Sequence, residues 1–228
     1  AFPDIAVTTA IAPQHSNPQE YRPQAPSSTH NTHRPHHPHH PLHPHQVNAG
    51  SGCYSTRGSD RCPNVKAPRE HNREDWKRDQ WVDDMVAELD NDRYFRWFDS
   101  GDVYDVRLAF KIFEVMKRTP WCNHWLPTRM HKFAKFGPVL AEMSALPNVV
   151  VRLSSDSITG DTVQGPQTST IATLDNVPSG ALVCEAYQRE GKCGPCRACW
   201  SKDVAVVCYI GHGKSMIKKQ NNIIARAA

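Results

Sequence analysis

Four cysteines near the end of the chain, Cys184, Cys193, Cys196 and Cys199, are spaced C-x8-C-x2-C-x2-C. Two-residue gaps let successive thiolates converge on one metal ion or cluster. Gly194 and Pro195 suit the tight turn this requires, and Lys192 and Arg197 supply positive potential that favours thiolates. Four thiolates accommodate tetrahedral zinc, and an iron–sulfur cluster uses the same ligand set. Zinc ribbons usually carry two separated C-x2-C knuckles. The run here is closer to ferredoxin-type ligation, although that pattern has a further cysteine before proline. Cys208 and His212 are alternative fourth ligands. The plainer alternative is unmetallated or disulfide-bonded cysteine.

A second set of polar residues stands where strands should end. Tyr94–Phe98 has strand propensity and runs into Asp99, Ser100, Gly101 and Asp102, after which an amphipathic segment starts at about Val103. The short run His124–Leu126 stops at Pro127, Thr128 and Arg129, and the β-branched run Val149–Leu153 stops at Ser154, Ser155 and Asp156. In open parallel sheets and barrels, ligands sit at the carboxyl ends of strands. Asp99, Ser100, Asp102, Thr128, Arg129 and Ser154 are therefore candidate contacts to a small molecule. Asp-Ser-Gly-Asp is also ordinary capping chemistry, with Ser100 or Asp102 capping the next helix. Arg129 could hold an anionic ligand bidentately or neutralise Asp99 or Asp102.

The elements that must position these groups follow from periodicity. Trp81, Val82, Met85, Val86 and Leu89 recur at helical intervals within residues 74–89. Val106, Ala109, Ile112, Phe113 and Met116 share a helical face that ends at Pro120. A third helix is expected from Met130 to Ala145, broken or kinked at Gly137-Pro138. From Arg93 the order is strand, helix, strand, helix, strand, and such alternation implies a parallel sheet. Beyond a loop at residues 159–169, short strands are expected at residues 170–174, 181–183 and 204–209. The fold class is α/β, a partial parallel β/α barrel or an open parallel sheet with a small Cys-rich C-terminal metal-binding extension. Cys122, His124, His131 and most tryptophans suit packing, whereas Trp200 beside Cys199 suits shielding of a metal.

The 228 residues divide by texture. Residues 1–49 are a His/Pro-rich extension expected to be disordered, residues 50–158 an α/β core, 159–213 the Cys-rich region, and 214–228 a basic tail that frays. The His/Pro tract between His30 and His45 could alternatively bind nickel or zinc. A foldable part of about 175 residues can bury a real core. The net charge of +4 is mild and marks no single basic face, so it does not favour nucleic acid. No apolar run suggests a membrane span, and the first ten residues lack signal-peptide features. A cytoplasmic protein is expected, and thiols spaced two apart in that compartment read as a metal site before disulfides.

Arg96–Asp102, His124–Arg129, Val151–Ser154 and the run Lys192–Trp200 occur here in the order seen in one phage family. The chain resembles the mycobacteriophage gene product 88 family of uncharacterised phage proteins over about residues 50–212. Members look like relatives of radical-SAM proteins, so the resemblance implies a partial α/β barrel, cysteines for an iron–sulfur cluster, and action in the bacterial host cell. Cys53-Tyr54 matches the family's Cys-Tyr pair and adds Cys53 as a further ligand candidate. The family's additional cysteines just upstream are missing here, which argues against a complete N-terminal three-cysteine cluster.

Two functions from different classes follow. One is an iron–sulfur, radical-type enzyme that binds S-adenosylmethionine or another small molecule at the strand-end rim. The other is a non-catalytic, zinc-stabilised module that binds nucleic acid or a host protein.

Overall fold

The computed structural model describes residues 63–98 and 101–227. The expectations placed on the His/Pro extension, on Cys53, and on Asp99 and Ser100 lie outside the described residues. The elements are α1 (Pro63–Asp75), α2 (Trp81–Glu88), β1 (Tyr94–Arg96), α3 (Val106–Arg118), β2 (Asn123–Thr128), α4 (Gly137–Ala145), β3 (Val149–Ser154), β4 (Thr168–Ala172), β5 (Leu182–Cys184), β6 (Val206–Ile210) and α5 (Lys214–Ala227). The six strands form one sheet in the order β1-β2-β3-β4-β6-β5, and every neighbouring pair is parallel. The sheet curls into a half-barrel.

Alternation along each strand assigns its side chains to two faces. Phe95, Trp97, Leu126, Val149 and Val151 point to the first face, where α2, α3 and α4 bring Trp81, Met85, Leu108, Ile112, Met116, Val139 and Met143. Burial of α3 centres on Leu108, Ala109, Ile112, Val115 and Met116. The stripe is thus rotated from the expected one, with Val106 and Phe113 only partly covered at its margin. His124 lies in this core, stacked on Trp97 with ring centres 6.0 Å apart. Cys122 is likewise a buried core residue.

Several boundaries differ from the sequence reading. The helix expected from Glu74 is interrupted between α1 and α2, where Arg78 reaches both Asp75 and Asp84. The helix expected from Met130 begins as two short 3-10 turns and becomes α-helical only at Gly137, because Pro138 has no N–H to donate and so serves as a helix start. The Cys-rich region is not an appended extension. Strands β4, β5 and β6 belong to the same sheet as β1–β3, and the cysteines lie mainly in the crossover between β5 and β6. The basic tail is also ordered as helix α5. Its Gln220 is 1% exposed and donates to the Ile158 carbonyl at 2.7 Å, over Gly211, where an added Cβ would stand 2.4 Å from the glutamine amide. An alternation of apolar and basic residues gives such a segment one face to bury, which counting its charge overlooks.

Candidate functional site

The three polar strand ends meet at one edge of the sheet, as parallel pairing requires. Asp102 is their clasp. Its Oδ1 accepts from the Val103 amide and the Thr128 hydroxyl, both at 2.7 Å, and its Oδ2 accepts from the Arg129 amide at 2.7 Å. Burial raises its pKa, against the pull of these three bonds and of the Arg129 charge. Helix α3 is capped instead by Asp105, whose Oδ1 accepts from the Arg107 amide at 2.8 Å. The cap expected of Ser100 or Asp102 therefore falls to a residue three positions beyond Asp102. Arg129 stands 3.3 Å from Asp156, close enough for an ion pair, but its Nε–H makes no hydrogen bond. Lys132 pairs with the same carboxylate. Ser154 and Ser169 hydroxyls are 3.2 Å apart. Among the described rim residues, Asp102, Thr128, Arg129 and Asp156 thus come together, largely satisfied by one another, while Ser154 pairs with Ser169.

The second face of the sheet collects a different set. Tyr94 and Arg96 of β1, Trp125 of β2, Arg152 of β3, Val207 and Tyr209 of β6, and Cys184 of β5 alternate onto it. The β5–β6 crossover lies against this face, packing Cys199 on Trp125 and Val207 with Cys184, Trp200, Val204 and Tyr209 around them. Trp200 donates its indole N–H to the Phe95 carbonyl at 3.0 Å and meets Tyr94 and Trp125 edge to face. It therefore fastens the crossover to edge strand β1 and shields Cys199.

Arg152 is the rivet. Fully buried, it donates from Nη1 to the Thr168 and Val204 carbonyls at 3.0 and 3.1 Å, and from Nη2 to the Ala198 and Ser201 carbonyls, both at 3.2 Å. Its Nε–H has no partner, and burial lowers its pKa. Sequence reading passed over this residue within a hydrophobic run. The signal was present: one arginine among four β-branched or aliphatic residues must find polar partners on the face where its alternation places it.

All four cysteines of the motif share this neighbourhood as free thiols. Cys184 pairs in register with Tyr209, and Cys199 Sγ lies 3.4 Å from the Tyr209 hydroxyl. Burial pushes the Cys199 thiol up to about 11, with Tyr209 and Arg152 pulling it back and Cys184 and Cys193 adding to the rise. Cys193 is raised by burial and by Cys184 and Cys196, and is lowered by Arg96 and Arg197. Tyr209 exposes part of its ring, but its hydroxyl is enclosed, and its pKa is held well above the usual value by burial. Among the described residues no three His, Cys, Asp or Glu side chains stand in ligating positions. The donor chemistry nevertheless fits a thiolate-bound metal: four sulfurs, with Arg96, Arg152 and Arg197 near them and no described ion pair tying any of the three to a carboxylate, while Glu185 and Glu190 are paired with Arg189 and Lys192.

The alternative ligands separate. Cys208 lies between Val207 and Tyr209, so the pleat sends it to the opposite face from Cys184 and Cys199. His212 lines a half-open depression of about 480 Å³ together with Cys184, Tyr187, Glu190 and Tyr209, at the carboxyl ends of β5 and β6. The chain is therefore an all-parallel α/β half-barrel whose second face is covered by a cysteine-bearing crossover. It belongs to the Gene product 88 family, whose model matches residues 44–202 and so takes in the sheet through β5 and all four cysteines of the motif. No curated protein and no solved structure matches the chain. No helix among the described residues is long and apolar enough to cross a membrane.

Proposed function

We propose that the chain is an iron–sulfur metalloprotein whose centre is held by Cys184, Cys193, Cys196 and Cys199 on the second face of the half-barrel. The observation that carries this reading is the gathering of four thiols and three arginines without a described carboxylate partner where the crossover meets the sheet. Buried thiols are neutral without a cation, and buried arginines are costly without an anion. Thiolates on a metal answer both demands at once. A bound cluster would supply one-electron chemistry at this face.

The chain's own residues have definable parts in this reading. Arg152 fixes the backbone at Ala198, Ser201 and Val204 and so fixes Cys199. Trp200 closes one side against water. Arg96 and Arg197 favour the thiolate at Cys193. Ligation draws Cys193 and Cys196 inward from the turn that now carries them. A small-molecule substrate, for which S-adenosylmethionine is one candidate, has its place in the depression beside Cys184.

Anaerobic purification, iron and sulfide analysis and an absorbance spectrum test the reading. A brown protein with stoichiometric iron, lost in Cys199→Ser, is expected. A colourless protein with stoichiometric zinc would overturn the iron–sulfur assignment in favour of a structural zinc, and protein free of either metal after anaerobic reconstitution would overturn both.

A further inference from the structure

The proposed thiolate centre leaves one cation over. A divalent core in four thiolates carries two negative charges, while three arginines without a described carboxylate partner, Arg96, Arg152 and Arg197, stand near these cysteines; Arg189, which reaches the Cys193 carbonyl, is paired with Glu185, and Lys192 with Glu190. Three positive charges less two leave one. Arg152 donates from both outer nitrogens to four carbonyls and leaves only its Nε–H unpartnered, and Arg197 donates from Nη1 to the Gly194 and Cys196 carbonyls at 2.6 and 2.7 Å. Arg96 differs. No described hydrogen bond or ion pair involves its guanidinium, and its Nε–H is buried without a partner. It is instead stacked over the Trp125 ring, 4.7 Å from the centre, and that indole N–H is also buried and unpartnered.

Two orphaned donors in contact, one of them cationic, are a costly arrangement that native proteins relieve with a water or an ion. Contact with the ring restricts the guanidinium, which favours recognition of a planar acceptor by its fork. The side chain is only partly covered, so an acceptor reaches its outer nitrogens without unfolding the sheet.

We propose that Arg96, lying on Trp125, is the anchoring residue for a carboxylate-bearing small molecule on the second face of the half-barrel. This rests on the thiolate-centre reading for its charge count. A single remaining positive charge matches a carboxylate better than a phosphate dianion, and two parallel N–H groups match its two oxygens. Tyr209 lies within the electrostatic reach of Arg96 and also lines the depression beside Cys184. A molecule anchored at Arg96 would thus extend toward that depression and the proposed centre.

The test is an NMR titration of the full-length ¹⁵N-labelled chain, with its metal content measured beforehand. Acetate is added, and inorganic phosphate and chloride are added to parallel samples at matched ionic strength. The Arg96 Nε–H and Trp125 indole resonances are expected to move along a saturable curve with acetate, while the other indole resonances stay in place. Arg96→Met should raise the apparent Kd at least about tenfold, the loss of a charge-assisted bidentate pair. Should that variant fail to fold, the wild-type curves decide alone. Shifts that are linear and equal for acetate and chloride overturn the inference, as does saturation by phosphate but not acetate. Metal present without saturable acetate binding overturns this site and spares the metal reading. Saturable binding to a chain unable to hold metal does the reverse.

Discussion

Lowering the pH from about 7 to about 5 should weaken the fold chiefly through His124. The ring is fully buried, and its protonation state follows from its partners. The Thr119 hydroxyl donates its only proton to the Val115 carbonyl at 2.7 Å, so at 2.8 Å from His124 Nε2 it can only accept. His124 is therefore the neutral Nε2–H tautomer, and its Nδ1 faces the core without a partner. Protonation would create a buried, unanswered N–H and a buried charge, and burial accordingly pushes the pKa down to about 4 from 6.5. The unfolded chain thus binds the proton first. The stabilisation is whole above the unfolded value and drains away as pH falls through 6.5 toward 4. Between about pH 7 and about pH 5 the loss amounts to ~2 kcal/mol. With a urea slope of ~2 kcal/mol per molar, the unfolding midpoint should fall by ~1 M. His131, lowered mainly by burial, acts in the same direction, whereas Asp102, raised by burial, acts oppositely and only at the acid edge. The assay is urea unfolding followed by tryptophan fluorescence at both pH values, for wild type and His124→Gln. A wild-type midpoint that does not move, or a variant that moves as far as wild type, refutes the reasoning.

Three further outcomes follow from the site. Arg152→Met strips four carbonyls, one buried and three partly buried, of their donor, and after allowing for the relieved desolvation of the cation should cost ~2–4 kcal/mol, with protease cleavage within residues 185–205 as the local readout. Asp102→Asn replaces an acceptor of three N–H or O–H groups by a side chain whose NH2 must face one of them, so thermal unfolding should show a loss of ~1–3 kcal/mol, whereas Asp105→Ala should cost ~1 kcal/mol through the lost cap of α3. Cys208→Ser should leave metal content unchanged after anaerobic reconstitution while Cys184→Ser and Cys199→Ser lower it; equal losses in all three would contradict the assignment of Cys208 to the opposite face.

Much of the architecture was legible because it is local. Val149–Leu153 could only be a buried strand, Pro138 had to interrupt the helix expected from Met130, and the alternation of strands and helices from β1 to β3 required parallel pairing. The C-x8-C-x2-C-x2-C spacing likewise named the four cysteines without any knowledge of the sheet. Capping by Asp105 was missed because Asp-Ser-Gly-Asp offered the louder signal, and only the path of the chain after Gly101 decides which carboxylate meets the first free amides of α3. The tail was misjudged because a helix of mixed charge is stabilised by what it docks against, here the Ile158 carbonyl and the surface over Gly211.

Beyond Arg197 and Trp200, which stand next to the cysteines in the chain, the partners of the cysteines were out of reach of sequence reasoning. Arg96, Arg152 and Tyr209 are separated from one another by at least fifty residues, and they meet because three strands present alternate positions to one face. That meeting depends on strand order and register, which arise from long-range pairing and leave no local periodicity to read. The sequence by itself determined the strands, most helices and the thiol set. Only the tertiary structure decided that the thiols lie near Arg96 and Arg152, neither of which has a described carboxylate partner, that Cys208 faces away from them, and that Arg96 keeps a buried donor free.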